Sequence, residues 1–237
     1  MREVRLDTDR RTLWRAQRIA KALRKEWRRT RPPWRGWGEP FNGQIRRTRT
    51  VAELIGRFEP DTLIETGTYF GFTSRYLASY GLPVYTVELD PGIRLFAKRT
   101  LRGRPNVTLV HGDSATALSW IASASGIQRP LLYLDAHSPR GLPLEAELNT
   151  VLDQWPDFVL LIDDFKVPGD PDYLFWTFEG EALAIETLRL ADDVLAAFPA
   201  APASSETGAR RGTVYLGRGD GADAIEALIT RDLLVAS

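Results

Sequence analysis

Residues 62–71 read Thr-Leu-Ile-Glu-Thr-Gly-Thr-Tyr-Phe-Gly. A short apolar run over Thr62–Glu65 ends on an acid. It then passes through Gly67 and Gly71 into a helical pattern over about 73–80. A strand that breaks on a glycine turn and continues as a helix is the opening of a βαβ unit. Further short apolar runs follow at Val84–Glu88, Val107–Val110, Leu131–Asp135 and Val159–Asp163. Helical patterns separate or follow them at about 91–102, 114–125, 143–155 and 181–197. Strands that are apolar on both faces and alternate with helices predict a parallel sheet with right-handed crossovers. Near the end of the chain, Thr213–Gly217 reads as a strand and 221–230 as a helix.

An open parallel sheet binds its ligands beyond the carboxyl ends of its strands. The residues at or just after those ends are Glu65, Glu88, Asp113, Asp135 and Asp163, and all five are acidic. Packing alone gives no reason for this. The first turn, Glu65-Thr66-Gly67-Thr68-Tyr69-Phe70-Gly71, has two glycines four apart. It lacks the G-x-G-x-x-G spacing of a dinucleotide site. A carboxylate at that turn would repel a diphosphate and attract a cationic amino acid moiety. The turn therefore argues for S-adenosylmethionine (SAM), whose ammonium and sulfonium are positive, and against NAD. Glu88, after the second strand, is placed to accept both hydroxyls of a ribose. Asp113, in His111-Gly112-Asp113-Ser114, is placed to accept from an adenine amino group, with Ser114 expected as the helix cap.

The fourth strand leads into Asp135-Ala136-His137 and the fifth into Asp163-Asp164-Phe165. These strand ends are expected to be neighbours, so Asp135, Asp163 and Asp164 would converge and raise one another's pKa values. A hard divalent cation with oxygen ligands, Mg²⁺ or another, removes that cost. The rival reading leaves an aspartate only capping a turn. The chain has two histidines, His111 and His137. His137 is a candidate general base for an acceptor hydroxyl, with Asp135 as the rival base, while His111 reads as structural.

Residues 1–50 carry a net charge of +11 and the remaining 187 residues a net of −11. Residues 9–29 form an amphipathic pattern, with Leu13, Ala16, Ala20, Leu23 and Trp27 on one face and arginines around the rest. The expected organisation is a basic helical extension over 1–58, which includes a second helix at about 44–58, and a main domain over 59–237. Trp34 and Trp37 are expected to cover apolar surface. The basic helix reads as a solvated or docked face, or as a grip on an anionic partner. The absence of cysteine excludes disulfides, thiolate zinc sites and a cysteine nucleophile. No apolar run approaches the roughly 20 residues of a membrane span, and no signal peptide is evident, so a cytoplasmic protein is expected.

From about residue 60 to 217 the chain resembles the class I SAM-dependent methyltransferases. The likeness rests on the E-x-G-x-x-x-G turn, the acid after strand two, Gly-Asp-Ser after strand three and Leu-Asp-Ala after strand four. It implies a Rossmann-like α/β fold, a mostly parallel seven-stranded sheet with helices on both faces. It also implies a cofactor site at Glu65, Thr66, Gly67, Thr68, Gly71, Thr73, Ser74, Glu88, Asp113, Ser114 and Asp135. The acids after strands four and five resemble those of the metal-dependent O-methyltransferases of the catechol and macrocin types. By that resemblance Asp135, Asp163 and Asp164 match the metal ligands. The layout also resembles sugar and polysaccharide O-methyltransferases, of the macrocin type and of the type that methylates mycobacterial mannose polysaccharides.

The acceptor expected from this resemblance is a sugar or oligosaccharide hydroxyl. A phenolic natural product is the alternative. Nucleic acid, gripped by the basic helix, is disfavoured because the helix has an apolar face and no N-P-P-Y-like motif is present. A SAM-fold assembly module without catalysis is the non-enzyme reading, opposed by the intact Asp135, His137, Asp163 and Asp164 set. The loop Lys166–Glu179 is expected to border the acceptor, with Tyr173, Phe175, Trp176 and Phe178 as candidates to stack on it. Asn42 and Gln44 are expected to close over the cofactor from the N-terminal segment, and Gln44 is also an acceptor-site candidate. Glu206–Arg211 reads as a turn near the site. A homodimer through the N-terminal helix is a further expectation.

Overall fold

The computed structural model describes residues 1–6, 39–124, 126–137 and 142–237. The expected helix at 9–29, and with it the expected dimer surface, lies outside the described residues, as do Trp34 and Trp37. Among the described residues there are six α-helices and a nine-stranded sheet. The strands are β1 (Arg2–Arg5), β2 (Thr62–Thr66), β3 (Val84–Glu88), β4 (Val107–His111), β5 (Pro130–Leu134), β6 (Phe158–Asp163), β9 (Leu195–Pro199), β10 (Thr213–Arg218) and β11 (Leu234–Ala236). A separate hairpin pairs β7 (Thr177–Phe178) with β8 (Glu181–Ala182). The helices are α1 (Ile45–Phe58), α2 (Phe72–Leu77), α3 (Pro91–Thr100), α4 (Ser114–Ala124), α5 (Leu144–Gln154) and α6 (Asp220–Ile229).

The strand order is β1-β4-β3-β2-β5-β6-β10-β9-β11. Strands β1 to β6 run parallel, and β10, β9 and β11 each pair antiparallel with their neighbours. The Rossmann-like sheet is therefore as expected, but it has nine strands rather than seven. The two additions, β1 and β11, lie at its edges. Neither shows an alternating apolar pattern, because an edge strand buries little side-chain surface. In β1, Glu3 instead reaches Arg94 and Lys98 on α3.

The central strands are buried on both faces. On one face α1, α2, α3 and α6 cover Leu63, Leu131, Tyr133, Val159 and Leu161. On the other, α4 and α5 cover Ile64, Leu132, Leu134, Leu160 and Ile162. Each aliphatic side chain buried there contributes about 1.5–3 kcal/mol relative to exposure. From the expected extension, Phe41, Val51, Leu54, Ile55 and Phe58 are all part of the first of these layers.

The helix expected at 181–197 is not formed. The chain there makes β8, a 3₁₀ turn at Ile185–Thr187, and β9. Its residues favour helix, but their backbone groups are claimed elsewhere. Leu183 donates to the Trp176 carbonyl at 3.0 Å and accepts from Lys166 at 2.7 Å. Residues 195–197 pair with β10. The hairpin turns on Glu179 and Gly180, both at positive φ (52° and 89°), as a two-residue primed turn requires. Phe165, Val167, Tyr173 and Leu183 of this irregular segment fill the core beside α5.

Helix α1 has no side-chain cap of its own. Its N-terminal amides are capped from across the chain by Glu206, which accepts from Arg46 N at 3.1 Å and Arg47 N at 3.2 Å. Gly208 makes this docking possible. It sits at φ 65°, and a Cβ there would lie 2.2 Å from the Asn42 carbonyl oxygen. Gly208→Ala is expected to destabilise the fold by about 1–3 kcal/mol, through strain and loss of the clasp. Denaturant unfolding would show this as a lower midpoint, and an unchanged midpoint would mean the clasp contributes nothing.

Candidate active site

The parallel order lines up the carboxyl ends of β4, β3, β2, β5 and β6. The connection order reverses between β2 and β5, which is where a doubly wound sheet opens a crevice. The 65–71 turn stands at that point. Gly67 is left-handed (φ 82°), and a Cβ on it would lie 2.4 Å from the Asp135 carbonyl oxygen, so only glycine lets the two strand ends close together. Tyr69 also takes a positive φ of 49°.

Glu65 is buried beneath this turn. It accepts from Ser74 Oγ and, at 2.6 Å, from Thr86 Oγ1, while Thr68 and Thr86 share a 2.6 Å bond. Ser74 and Thr68 therefore brace the turn from within. Thr73 accepts from the Phe41 amide at 3.1 Å and anchors the N-terminal segment. Burial, reinforced by the Glu88 charge, pushes the Glu65 carboxyl up to about 7 against its hydroxyl donors. Glu88 closes β3. Its two oxygens accept from the Tyr69 and Asp90 amides, each at 2.8 Å. A carboxylate has about four lone-pair sites, so these bonds leave Glu88 capacity to accept from a ligand hydroxyl. Burial also raises Glu88 to about 7.

Asp113, not Ser114, caps α4. Its Oδ1 accepts from Thr116 N at 3.0 Å and Thr116 Oγ1 at 3.1 Å. Asp113 is exposed, whereas Ser114 is buried and, with Thr66, faces Glu147 of α5. Glu147 is 1% exposed, its Oε1 has no hydrogen-bond partner among the described residues, and burial raises it to about 7 against hydrogen bonds from Ser114 and Thr66. It lines a cavity of about 10 Å³ with Ala136, His137 and Leu142.

The acids that converge differ from the expected three aspartates. Ligand atoms of Asp135, His137 and Asp164 lie within 4.8 Å of one another. His137 Nε2 is 2.6 Å from Asp164 Oδ2, and its Nδ1 is 3.5 Å from Asp135 Oδ1. Asp163 supplies no ligand atom to this group, although Tyr133 Oη, 3.5 Å from Asp135 Oδ2, bridges the two aspartates. Its Oδ1 is paired with the buried Arg47 and lies 3.4 Å from Thr213 Oγ1. Its Oδ2 accepts from Tyr133 Oη and, at 3.0 Å, from Asn42 Nδ2. Successive strand residues face opposite ways. Asp163 follows the face of Tyr133 and Leu161 toward α1, whereas Asp164, at φ 54°, leaves the strand toward the crevice. Burial would raise Asp164, but His137 and Arg211 outweigh it and hold its carboxyl below the ordinary value. Asp135 is held well above its ordinary value by burial and by the charges of Asp163 and Asp164.

Of the acceptor candidates, Trp176 stands at the cluster, its ring 4.8 Å from that of His137. Tyr173 is 2% exposed and donates to the Ala201 carbonyl at 3.0 Å. Gln44 is 1% exposed and clamps the Arg211 backbone, donating to its carbonyl at 2.9 Å and accepting from its amide at 2.8 Å. Both are spent on holding the fold. Phe175 and Leu174 remain exposed beside the site.

Arg47 and Glu147 belong to this region and were not anticipated, and Arg211 was expected only as part of a turn near the site. The first two carry a readable signal. Arg47 shares the buried stripe of α1 with Val51, Leu54, Ile55 and Phe58, and Glu147 shares that of α5 with Leu144, Leu148 and Val151. A charged residue on an apolar stripe signals a buried charge with a partner. A groove of about 650 Å³ between α1 and the β9–β11 end of the sheet contains none of the strand-end acids.

No family model matches the chain. A protein-L-isoaspartate O-methyltransferase of Chromobacterium violaceum is 28% identical over 157 residues, 65% of this chain and 64% of that protein. Ribosomal RNA small subunit methyltransferase A of Phenylobacterium zucineum is 32% identical over 83 residues, 35% of this chain and 29% of that protein. The chain thus spans less than two thirds of the curated relatives it matches. An O-methyltransferase from Bacillus cereus, solved in complex with SAH, superposes with a TM-score of 0.54 at 15% identity, over 90% of this chain and 93% of that one. The O-methyltransferase TomG of Streptomyces achromogenes, involved in tomaymycin synthesis and solved with SAM, gives 0.54 at 18%, over 90% and 92%. The fold is that of the class I SAM-dependent methyltransferases, with two edge strands added.

The buried acids predict a pH dependence of stability. Glu65, Glu88 and Glu147 titrate near 4.5 when exposed and near 7 in the folded chain. The folded protein keeps protons that the unfolded chain releases. Stability of the cofactor-free protein therefore falls as pH rises from about 4.5 to about 7, and this loss is complete above that window. Glu147→Gln should flatten the slope in a urea-midpoint series across this range. A slope equal to that of the unmutated chain would show that Glu147 titrates normally.

Proposed function

We propose that the chain transfers the methyl group of SAM to a hydroxyl of a sugar or oligosaccharide, with the help of a divalent cation. The observation that carries this reading is the convergence of Asp135, His137 and Asp164 at the crevice edge of a methyltransferase fold. Glu88, with lone-pair capacity left, accepts the ribose hydroxyls. Asp113 Oδ2, left over from capping, accepts the adenine amino group. Glu65 places a carboxylate beneath the turn, where the cationic methionine moiety favours its ionised form.

The donor set fits a cation. Two carboxylates and one imidazole offer three ligand atoms in one place. The cation, when bound, acts as a Lewis acid that lowers the pKa of a coordinated hydroxyl. An imidazole among the ligands favours a first-row ion such as Mn²⁺ over Mg²⁺, which takes oxygen ligands. Asp135, His137 and Asp164 would hold it, and Arg211 steadies Asp164 at 2.8 Å. The acceptor proton passes to the second oxygen of Asp135, because an imidazole that holds the cation through one nitrogen carries its proton on the other and cannot take up another. Trp176 packs on His137 and fixes its ring. Positioning of methyl donor and acceptor oxygen supplies most of the acceleration.

Methylation of a phenolic natural product is the second reading. Exposed Leu174 and Phe175 beside the cluster favour it, since they suit a flat apolar acceptor.

Isotope-labelled SAM offered with mixed saccharides, phenols and RNA tests both readings. Transfer to a saccharide, lost on chelation and restored best by Mn²⁺, is expected. Transfer to a phenol, or transfer indifferent to chelator, would overturn the acceptor or the cation respectively. Glu88→Ala should raise the SAM KM roughly tenfold or more while changing kcat less. Asp135→Ala should cost roughly a hundredfold or more in kcat.

A further inference from the structure

Arg211 stands at the cluster, where the role described so far is to steady Asp164. Its guanidinium Nη1 is 2.8 Å from Asp164 Oδ1, and its side chain is 25% exposed. A guanidinium has five N–H donors. Among the described residues, Asp164 is its one side-chain partner. The other donors of the guanidinium engage no described side chain, and the fork stands against Asp164, which in turn meets His137.

The backbone under this side chain is held unusually firmly. The Arg211 amide donates to Gln44 Oε1, and its carbonyl accepts from Gln44 Nε2 and from Arg47. On one side Ala209 donates to the Asn42 carbonyl at 3.1 Å, and on the other Gly212 donates to the Leu174 carbonyl at 2.8 Å. These bonds belong to the clasp that caps α1, and they also fix where the Arg211 donors stand, as a residue that presents donors to a ligand requires.

Asp163 is paired with Arg47, so it makes no demand on Arg211.

We propose that Arg211 anchors the acceptor, and that the acceptor is an acidic sugar whose carboxylate or phosphate is bound by the open side of the guanidinium fork. The proposal rests on the sugar methyltransferase reading above. The planar fork matches both anions in two-point geometry, which a lysine cannot do. Exposed Leu174, bridged to Arg211 in the backbone, offers an apolar platform for the sugar face beside it.

The test is binding, read without turnover. SAH-loaded protein is titrated with glucose, glucuronic acid and glucose 6-phosphate in the presence of Mn²⁺, by calorimetry. One or both acidic sugars should bind roughly tenfold or more tighter than glucose. The arm that binds tighter identifies carboxylate or phosphate. Arg211→Gln should erase the preference while SAH affinity is kept. Arg211→Lys, which keeps the charge on a folded chain, should retain only part of it. Equal affinities in the unmutated protein, no sugar binding with SAH bound, or a preference that survives Arg211→Gln would each overturn the proposal. A loss of thermal stability in Arg211→Gln with the preference intact would do the same and leave Arg211 as a brace for Asp164. Failure of the unmutated protein to bind SAH is a different result, and it would overturn the methyltransferase reading itself.

Discussion

The ion pair between Arg47 and Asp163 joins four parts of the chain at one buried point. Arg47 comes from the first turn of α1 and Asp163 from the last residue of β6. The same guanidinium reaches the carbonyls of Arg211 and Gly212, and the same carboxylate takes Tyr133 and Asn42. Burial works against the arginine's charge, but Asp163 beside it raises the pKa above its ordinary value. Removing one member of such a buried pair costs about 3–5 kcal/mol, because the other is left charged and unpaired in the interior. The pair also decides the chemistry above it. Asp163 is fully occupied, so the acid that faces the crevice is Asp164, and the third member of the cluster is His137.

Around this pair the segments 42–47 and 205–212 form a clasp. Glu206 caps α1, Thr207 bonds Gly43 and Ile45, and Gln44 grips the Arg211 backbone. The clasp lets a segment upstream of the sheet and a segment just before β10 meet over the end of β6. It holds Arg211 against Asp164, which in turn bonds His137, against which Trp176 packs. The geometry at the crevice is thus supported from two distant stretches of chain, and from no single loop.

The crevice itself is rich in carboxyls whose charge burial opposes. Glu65, Glu88 and Glu147 all lie near 7, and Asp135 is higher than its ordinary value. Buried acids in this condition gain from any cation brought beside them. A sulfonium, an ammonium and a metal ion are three such cations. On the proposed reading, the cofactor and the metal relieve a tension that the empty fold carries, and binding them releases protons.

Much of this was legible in the residues. The acids at the ends of the central strands, the two glycines of the 65–71 turn and the alternation of apolar runs with helices pointed to the sheet and to its crevice. These are local features, set by backbone geometry and by periodicities of two and 3.6. The segment 181–197 shows where local reading ends. Its residues favour helix, yet pairing with β10 and hydrogen bonds to Trp176 and Lys166 claim its backbone. Likewise the adjacent aspartates 163 and 164 are alike in sequence, and Tyr173 and Gln44 look like surface contacts. Which carboxylate faces the crevice, and which polar side chains are spent inside, depends on partners over a hundred residues away, such as Arg47 for Asp163 and Arg211 for Gln44. The chain by itself determined the central parallel strands and their acidic edge. Only the tertiary structure decided the composition of the cluster, because a charge buried in the interior must find its counter-charge in space and not along the sequence.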